Sequence, residues 1–374
     1  MSNALITKEK ALKRHSSSIY LSDETPLYAT AHKRILSAFL PEILDIEAFA
    51  TRSQDHLTCR IEAKIPIRDM EIPIYSIAVG DDDLSKPVLV FVGGIHGIER
   101  IGTHVVNSFL QTIIERLLWD DSLKTELEKY RLLFIPLVNP SGMFFNIRSN
   151  AEGIDLMRNA PIDAVERTPM LVGGQRFSPK LPWYRGATEK LAAENNALLK
   201  IMREQVFPSR FSILLDCHSG FGFHDRIWFP YAYRRHPIGI LKEIFSLKLL
   251  LDQTLPHHNY TFEPQSTHYI THGDFWDYSY KLSKQEAEGL FIPLTLEMGS
   301  WRWVKKNPLQ MVKMMGLFNP VKPHRLSRTK RRHLPFFEFL ARAVYSHKNW
   351  LPTGQQNHAL AQAALSYWFK NKLP

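Results

Sequence analysis

The sequence predicts an α/β fold, a three-layer α/β/α sandwich around a mixed, largely parallel central sheet. Two observations carry this. Four apolar runs share one design and break off into small or polar residues: PVLVFVGGIHG (87–97), YRLLFIPLVNPSG (130–142), FSILLDCHSG (211–220) and LFIPLTLEMGS (290–300). Runs of this length, bounded by Gly and Pro and lacking alternation, fit interior strands covered on both faces. Between them lie helix-like stretches, THVVNSFLQTIIERLLW (103–119) and ATEKLAAENNALLKIMREQVF (187–207). Strands alternating with helices build such a sandwich.

In chain order, residues 1–70 read as an N-terminal extension, with a helix-like YATAHKRILSAFLPEIL (28–44) and an alternating IEAKIPI (61–67) leading into an edge strand. Residues 71–325 form the main domain and hold all four apolar runs. The segment from 150 to 187 has little periodicity and reads as an ordered excursion over the surface. Residues 326–374 read as a basic linker followed by C-terminal helices, FFEFLARAVYSHKNW (336–350) and HALAQAALSYWFKN (358–371).

Bulk properties narrow the function classes. With 374 residues, 44% hydrophobic and 22% charged, the chain buries a sizeable core. It has no continuous apolar stretch of the roughly 20 residues a membrane span needs, and MSNALITKEKALKRHSSS at the start lacks the apolar segment of a secretory signal. Two cysteines, Cys59 and Cys217, make no disulfide framework. A cytoplasmic protein with no membrane partner is the expectation. The net charge of +10 is densest in KPHRLSRTKRRH (322–333). That stretch reads as a solvated linker, because the chain has neither zinc-finger spacing nor the interleaved aromatic and basic residues of RNA-binding sheets.

Ligands of open α/β sheets bind outside the carboxyl ends of the strands. The first run delivers His96 and Glu99 there, the third His218 and the fourth Glu297. Two imidazoles and one carboxylate suit a catalytic zinc ion, one per chain, whose fourth position is left to water. Glu297 is then a separate carboxylate able to shuttle a proton. Taken alone, the first motif also fits a strand-to-helix turn in which Glu99 faces the positive end of a helix. Asp216, two residues before His218, and Asp155 are candidates to orient a metal-bound histidine, or else buried aspartates satisfied by backbone amides. His104 reads as a helix residue. His224, His257, His258, His268 and His272 are left out of the ligand set, since a fourth protein ligand would displace the water.

GGIHGIER, NPSGMFFNIRSNAEGIDLMRN (139–159), LLDCHSG and LTLEMG, in this order between about residues 85 and 300, resemble the motif set of the zinc metallocarboxypeptidases. The resemblance implies a zinc metallopeptidase with His96, Glu99 and His218 as metal ligands and Glu297 as the general base and acid that activates a zinc-bound water. It implies that Arg148 polarises the scissile carbonyl, that Arg158 receives the substrate's terminal carboxylate and that Asp155 stands behind the first histidine. HYITHGDFWDYSY (268–280) resembles the region of the family's closing tyrosine and puts Tyr269 in that role. One position departs. The family has an asparagine before the residue matched by Arg158, where this chain has Met157, which donates no hydrogen bond; Asn159, Arg176 and Arg185 are candidates to compensate. GGIHGIE also resembles the aspartoacylase and succinylglutamate desuccinylase enzymes. The expected substrate is thus a peptide or, alternatively, an acylated amino acid, with a catalytically silent binding protein as a third reading.

Overall fold

The computed structural model describes residues 19–20, 32–52, 57–188, 190–354 and 356–370. Residues 1–18, the stretch in which the sequence shows no secretory signal, lie outside this set. Among the described residues nine strands form one sheet in the order β1-β2-β3-β5-β4-β6-β9-β7-β8. They are β1 (Ile19–Tyr20), β2 (Leu57–Ile67), β3 (Met70–Gly80), β4 (Val88–Gly93), β5 (Arg131–Ile135), β6 (Phe211–Ser219), β7 (Asp225–Phe229), β8 (Tyr260–Pro264) and β9 (Leu290–Met298). The four apolar runs supply β4, β5, β6 and β9, which lie side by side and parallel. The β1-β2-β3 flank joins β5 antiparallel, and β7 joins β9 antiparallel. Every residue of β4 and β6 is buried, which explains why their apolar stretches, Val88–Val92 and Ile213–Leu215, run without alternation.

Helices cover both faces. Phe91 of β4 packs against Phe109 of the helix Arg100–Leu117 and Phe337 of the helix Pro323–Tyr345, at ring centroid distances of 5.1 and 4.9 Å. Phe91 is in register with Leu215, so the next β6 residue, Asp216, faces the other way. Asp216 there accepts a hydrogen bond from Trp276 Nε1, on the helix Phe275–Glu286.

Two expected boundaries shift. IEAKIPI lies in β2, which pairs along its length with β3, so a division at residue 70 falls inside this hairpin. The basic stretch 322–333 is not a linker but the first half of the helix Pro323–Tyr345. Arg, Lys and Leu favour helix, and Leu326 and Leu334 pack partly buried against the core with Thr329 and His333 buried beside them, although the continuous buried apolar face begins only at Phe336. The excursion from 150 to 187 is held by its own backbone bonds, among them Gln175 N to Trp183 O and Asp155 N to Tyr184 O. No helix among the described residues is long and apolar enough to cross a membrane.

Candidate active site

The site forms where β4, β6 and β9 end. β4 stops at Gly93, and a turn leads through His96 to Glu99, the residue before the helix Arg100–Leu117. Glu99 makes no side-chain cap to that helix. Its carboxylate turns inward instead, accepting from Arg148 Nη1 at 3.0 Å and from the Ser219 backbone N–H at 2.9 Å, with His218 Nδ1 at 3.2 Å. One donor atom each of His96, Glu99 and His218 lie within 4.8 Å of one another, and all three residues are buried. Glu297 stands directly opposite His218 in the parallel β6-β9 register, so both side chains occupy one face.

Several backbone contacts fix this geometry. Asn139 donates to Ile95 O at 3.1 Å and caps the helix Pro140–Phe145 through Gly142 N. Asn319 donates to Ile98 O at 2.7 Å and accepts from Ile101 N at 2.9 Å, while Ser219 Oγ donates to Phe318 O at 2.8 Å. After β6, Gly220 adopts φ +130°, and the next N–H, of Phe221, donates to Glu297 Oε1 at 3.0 Å. Of these contacts only the Asn139-Pro140 helix start and the glycine have a local sequence signature.

The electrostatics are those of a buried charge cluster. Burial opposes ionisation of Glu99, but His96, His218 and Arg148 outweigh it and hold its carboxyl down at about 2. Burial together with the nearby Glu99 charge pushes Glu297 up to about 8. Burial and the Arg148 charge hold His96 well below the usual imidazole range. For His218 burial acts in the same direction, but Asp216 and Glu99 prevail and its pKa is raised. Asp216 Oδ2 lies 2.5 Å from His218 Nε2 and also accepts from Trp276 Nε1 at 2.7 Å. The ring therefore turns its other nitrogen toward Glu99.

The remaining sequence candidates divide. Arg148 joins the ligand group, donating to Asp155 through Nε at 2.9 Å and reaching His96 Nε2 at 2.7 Å. Asp155 lies 3.9 Å from His96 Nδ1, beyond hydrogen-bond range; its close partners are Arg148 and the Met157 N–H. Arg158 is buried and held by the carbonyls of Val172 and Met157, each at 3.2 Å, and Tyr269 feels the charges of Arg158, Glu297 and Arg148. The Met157 side chain is in the hydrophobic core. Of its proposed substitutes, Asn159 and Arg185 are occupied: Asn159 bonds the carbonyls of Arg185 and Lys190 and accepts from Ala192 N, and Arg185 pairs with Asp163 at 2.6 Å; Arg176 donates to Gly186 O at 2.6 Å through Nη1. Four of the other histidines have separate acidic partners: His104 faces Glu42, His258 faces Asp252, His268 faces Glu263 and His272 faces Asp163. Among the described residues no other cluster offers three metal donors.

The donor set fits a zinc ion: two imidazoles and a carboxylate, converging and buried, with His96 Nδ1 lacking any hydrogen-bond partner.

Carboxypeptidase Z of Gallus gallus is 26% identical over 190 residues, 46% of this chain and 28% of that protein. A protein named inactive metallocarboxypeptidase ECM14, from Ajellomyces capsulatus, is 26% identical over 175 residues, 44% of this chain and 29% of its own length. The chain thus spans less than a third of these relatives. The crystal structure of carboxypeptidase A from Helicoverpa armigera superposes with a TM-score of 0.63 at 17% identity, covering 85% of this chain and 80% of that one. The zinc carboxypeptidase family profile matches residues 66–305, and the chain belongs to that family.

Proposed function

We propose that this protein is a zinc-dependent metallocarboxypeptidase, with Glu297 as general base and acid. Because one relative is named inactive, family membership alone does not carry catalysis. The observation that carries it is Glu297, which is in register with His218 on the face of the ligand group yet makes no part of the His96, Glu99 and His218 cluster. Zinc held by those three residues would supply Lewis acidity, lowering the pKa of a water and polarising a carbonyl.

The chain's own groups do the rest. Glu297 is anchored through one oxygen by the Phe221 N–H; a cation held at the neighbouring ligand group would draw its raised pKa back down, and the ionised carboxylate then takes a proton from the attacking water and returns it to the leaving nitrogen. Arg148 brings a fixed positive charge to the developing oxyanion without reorganisation. Arg158 offers a guanidinium fork that matches a carboxylate, so peptides bearing a free C-terminal carboxylate are the preferred substrates. With Met157 supplying no donor and Asn159 occupied, that recognition rests on Arg158 alone. Tyr269, within electrostatic reach of Arg158 and Glu297, closes the polar wall around the substrate.

The test is mass spectrometry of a mixed pool of free-acid peptides, their C-terminal amides and acylated amino acids. Shortening of the free-acid peptides from the C-terminus is expected, with the amides cut at least about tenfold more slowly and that preference lost in Arg158→Gln. Cleavage confined to the acylated amino acids would replace this reading with an amidohydrolase of the aspartoacylase type. No cleavage by zinc-loaded protein would leave the silent binding protein.

Asp216 acts through His218. Asp216→Asn keeps the shape but removes the charge behind the imidazole, and zinc affinity is expected to fall about 10- to 100-fold. Chelator competition measures this; unchanged affinity would reduce Asp216 to a packing role.

A further inference from the structure

The sheet face opposite the catalytic residues carries a second cleft. Arg226 of β7 is paired directly with Glu297 of β9, and directly opposed antiparallel residues share a face. Asp225, one residue earlier, therefore points to the other face, toward the basic half of the helix Pro323–Tyr345. Its carboxylate is 1% exposed and accepts from Gly299 N at 3.0 Å and Arg302 Nη2 at 2.6 Å, with Arg332 Nη2 at 2.9 Å.

Beside it opens a cavity of about 320 Å³ whose wall includes Arg302, Lys306, Arg325, Arg328 and Arg332, with Trp303 as an apolar side. Asp225 is the one carboxylate in that wall, and two arginines already engage it. Arg325 reaches only the carbonyls of Trp303 and Lys306, each at 3.4 Å, and no acidic partner for Lys306, Arg325 or Arg328 occurs among the described residues. An adjoining hollow adds Arg331 beside Arg328 and Arg332. Cations gathered around a concave wall repel one another unless an anion sits among them, and guanidinium forks match phosphate oxygens.

We propose that this cleft binds a small, multiply charged phosphate anion, at a site distinct from the catalytic one. The Lys306, Arg325 and Arg328 side chains make the discriminating contacts. Arg302 and Arg332 compensate Asp225 and shape the floor. The ligand lies on the far side of the sheet from Glu297 and touches none of the ligand group.

The experiment is calorimetric titration of the zinc-loaded full chain with inorganic pyrophosphate at low ionic strength. One site per chain is expected, with affinity that falls as salt is added. Arg325→Gln combined with Arg328→Gln is expected to weaken binding at least about tenfold, and Lys306→Gln, at an exposed position, to weaken it as well. Lys313→Gln with Lys348→Gln removes the same charge at exposed positions elsewhere and is expected to have little effect. No binding at millimolar pyrophosphate would overturn the proposal. So would equal weakening in both double variants, which marks general charge attraction, or undiminished binding in the arginine variant, which marks the zinc site. If thermal melting shows the arginine pair to be misfolded, Lys306→Gln against the lysine pair decides.

Discussion

Glu297→Gln is expected to keep its full zinc content and lose about 10²- to 10⁴-fold in kcat, the range that a positioned general acid-base group contributes. The substitution is nearly isosteric, and the amide oxygen can still accept from the Phe221 N–H at the position where Glu297 Oε1 now does. Metal content should hold because Glu297 is outside the three-residue donor cluster. What disappears is the proton carrier. Metal analysis alongside single-turnover and steady-state rates separates the two effects. Full turnover in this variant would sink the assignment, and loss of zinc with activity would make Glu297 part of the metal's support. Arg148 is a poorer probe, since it touches His96, Glu99 and Asp155 at once.

Gly97→Ala is expected to damage folding and metal binding together. A Cβ on Gly97 would stand 2.0 Å from Gly142 C and 2.2 Å from Met143 N, backbone atoms of the helix Pro140–Phe145 that cannot swing aside. Relieving that overlap requires moving the turn between His96 and Glu99 or the helix that abuts it. Overpacking of this kind costs about 3 kcal/mol or more, a drop of about 4 °C in Tm for a chain this long. The same shift separates His96 from Glu99, so zinc affinity falls with stability. Gly239→Ala is the control, because its Cβ would meet only the Tyr280 hydroxyl at 3.4 Å. Equal melting temperatures and zinc affinities in Gly97→Ala and the unaltered chain would refute the close approach.

The central strands were legible because burial on both faces leaves apolar residues without alternation, as in Val88–Val92 and Ile213–Leu215. His96, Glu99, His218 and Glu297 were legible because polar residues that end such runs gather at one edge. The second half of the site was not. Ser219 and Phe221 contribute backbone N–H groups, which any residue carries, and Trp276 reaches Asp216 from 60 residues away. Asn159 read as a possible donor for substrate, yet its amide is taken up by backbone groups that only the folded excursion brings near. The helix Pro323–Tyr345 was hidden for another reason: its basic half has little apolar periodicity, and Pro335 inside it resembled a boundary.

Phe318 and Asn319 lie beyond the last residue of the family match at 305, yet Asn319 ties down the turn that carries His96 and Glu99, and Phe318 the end of β6 that carries His218. The folded unit that carries the candidate site therefore does not end where the family likeness ends. A fragment trimmed to the matched region would keep every candidate site residue and lose the contacts that hold the His96–Glu99 turn and the end of β6. Recognisable ancestry and mechanical self-sufficiency are different boundaries here, and the second falls later in the chain.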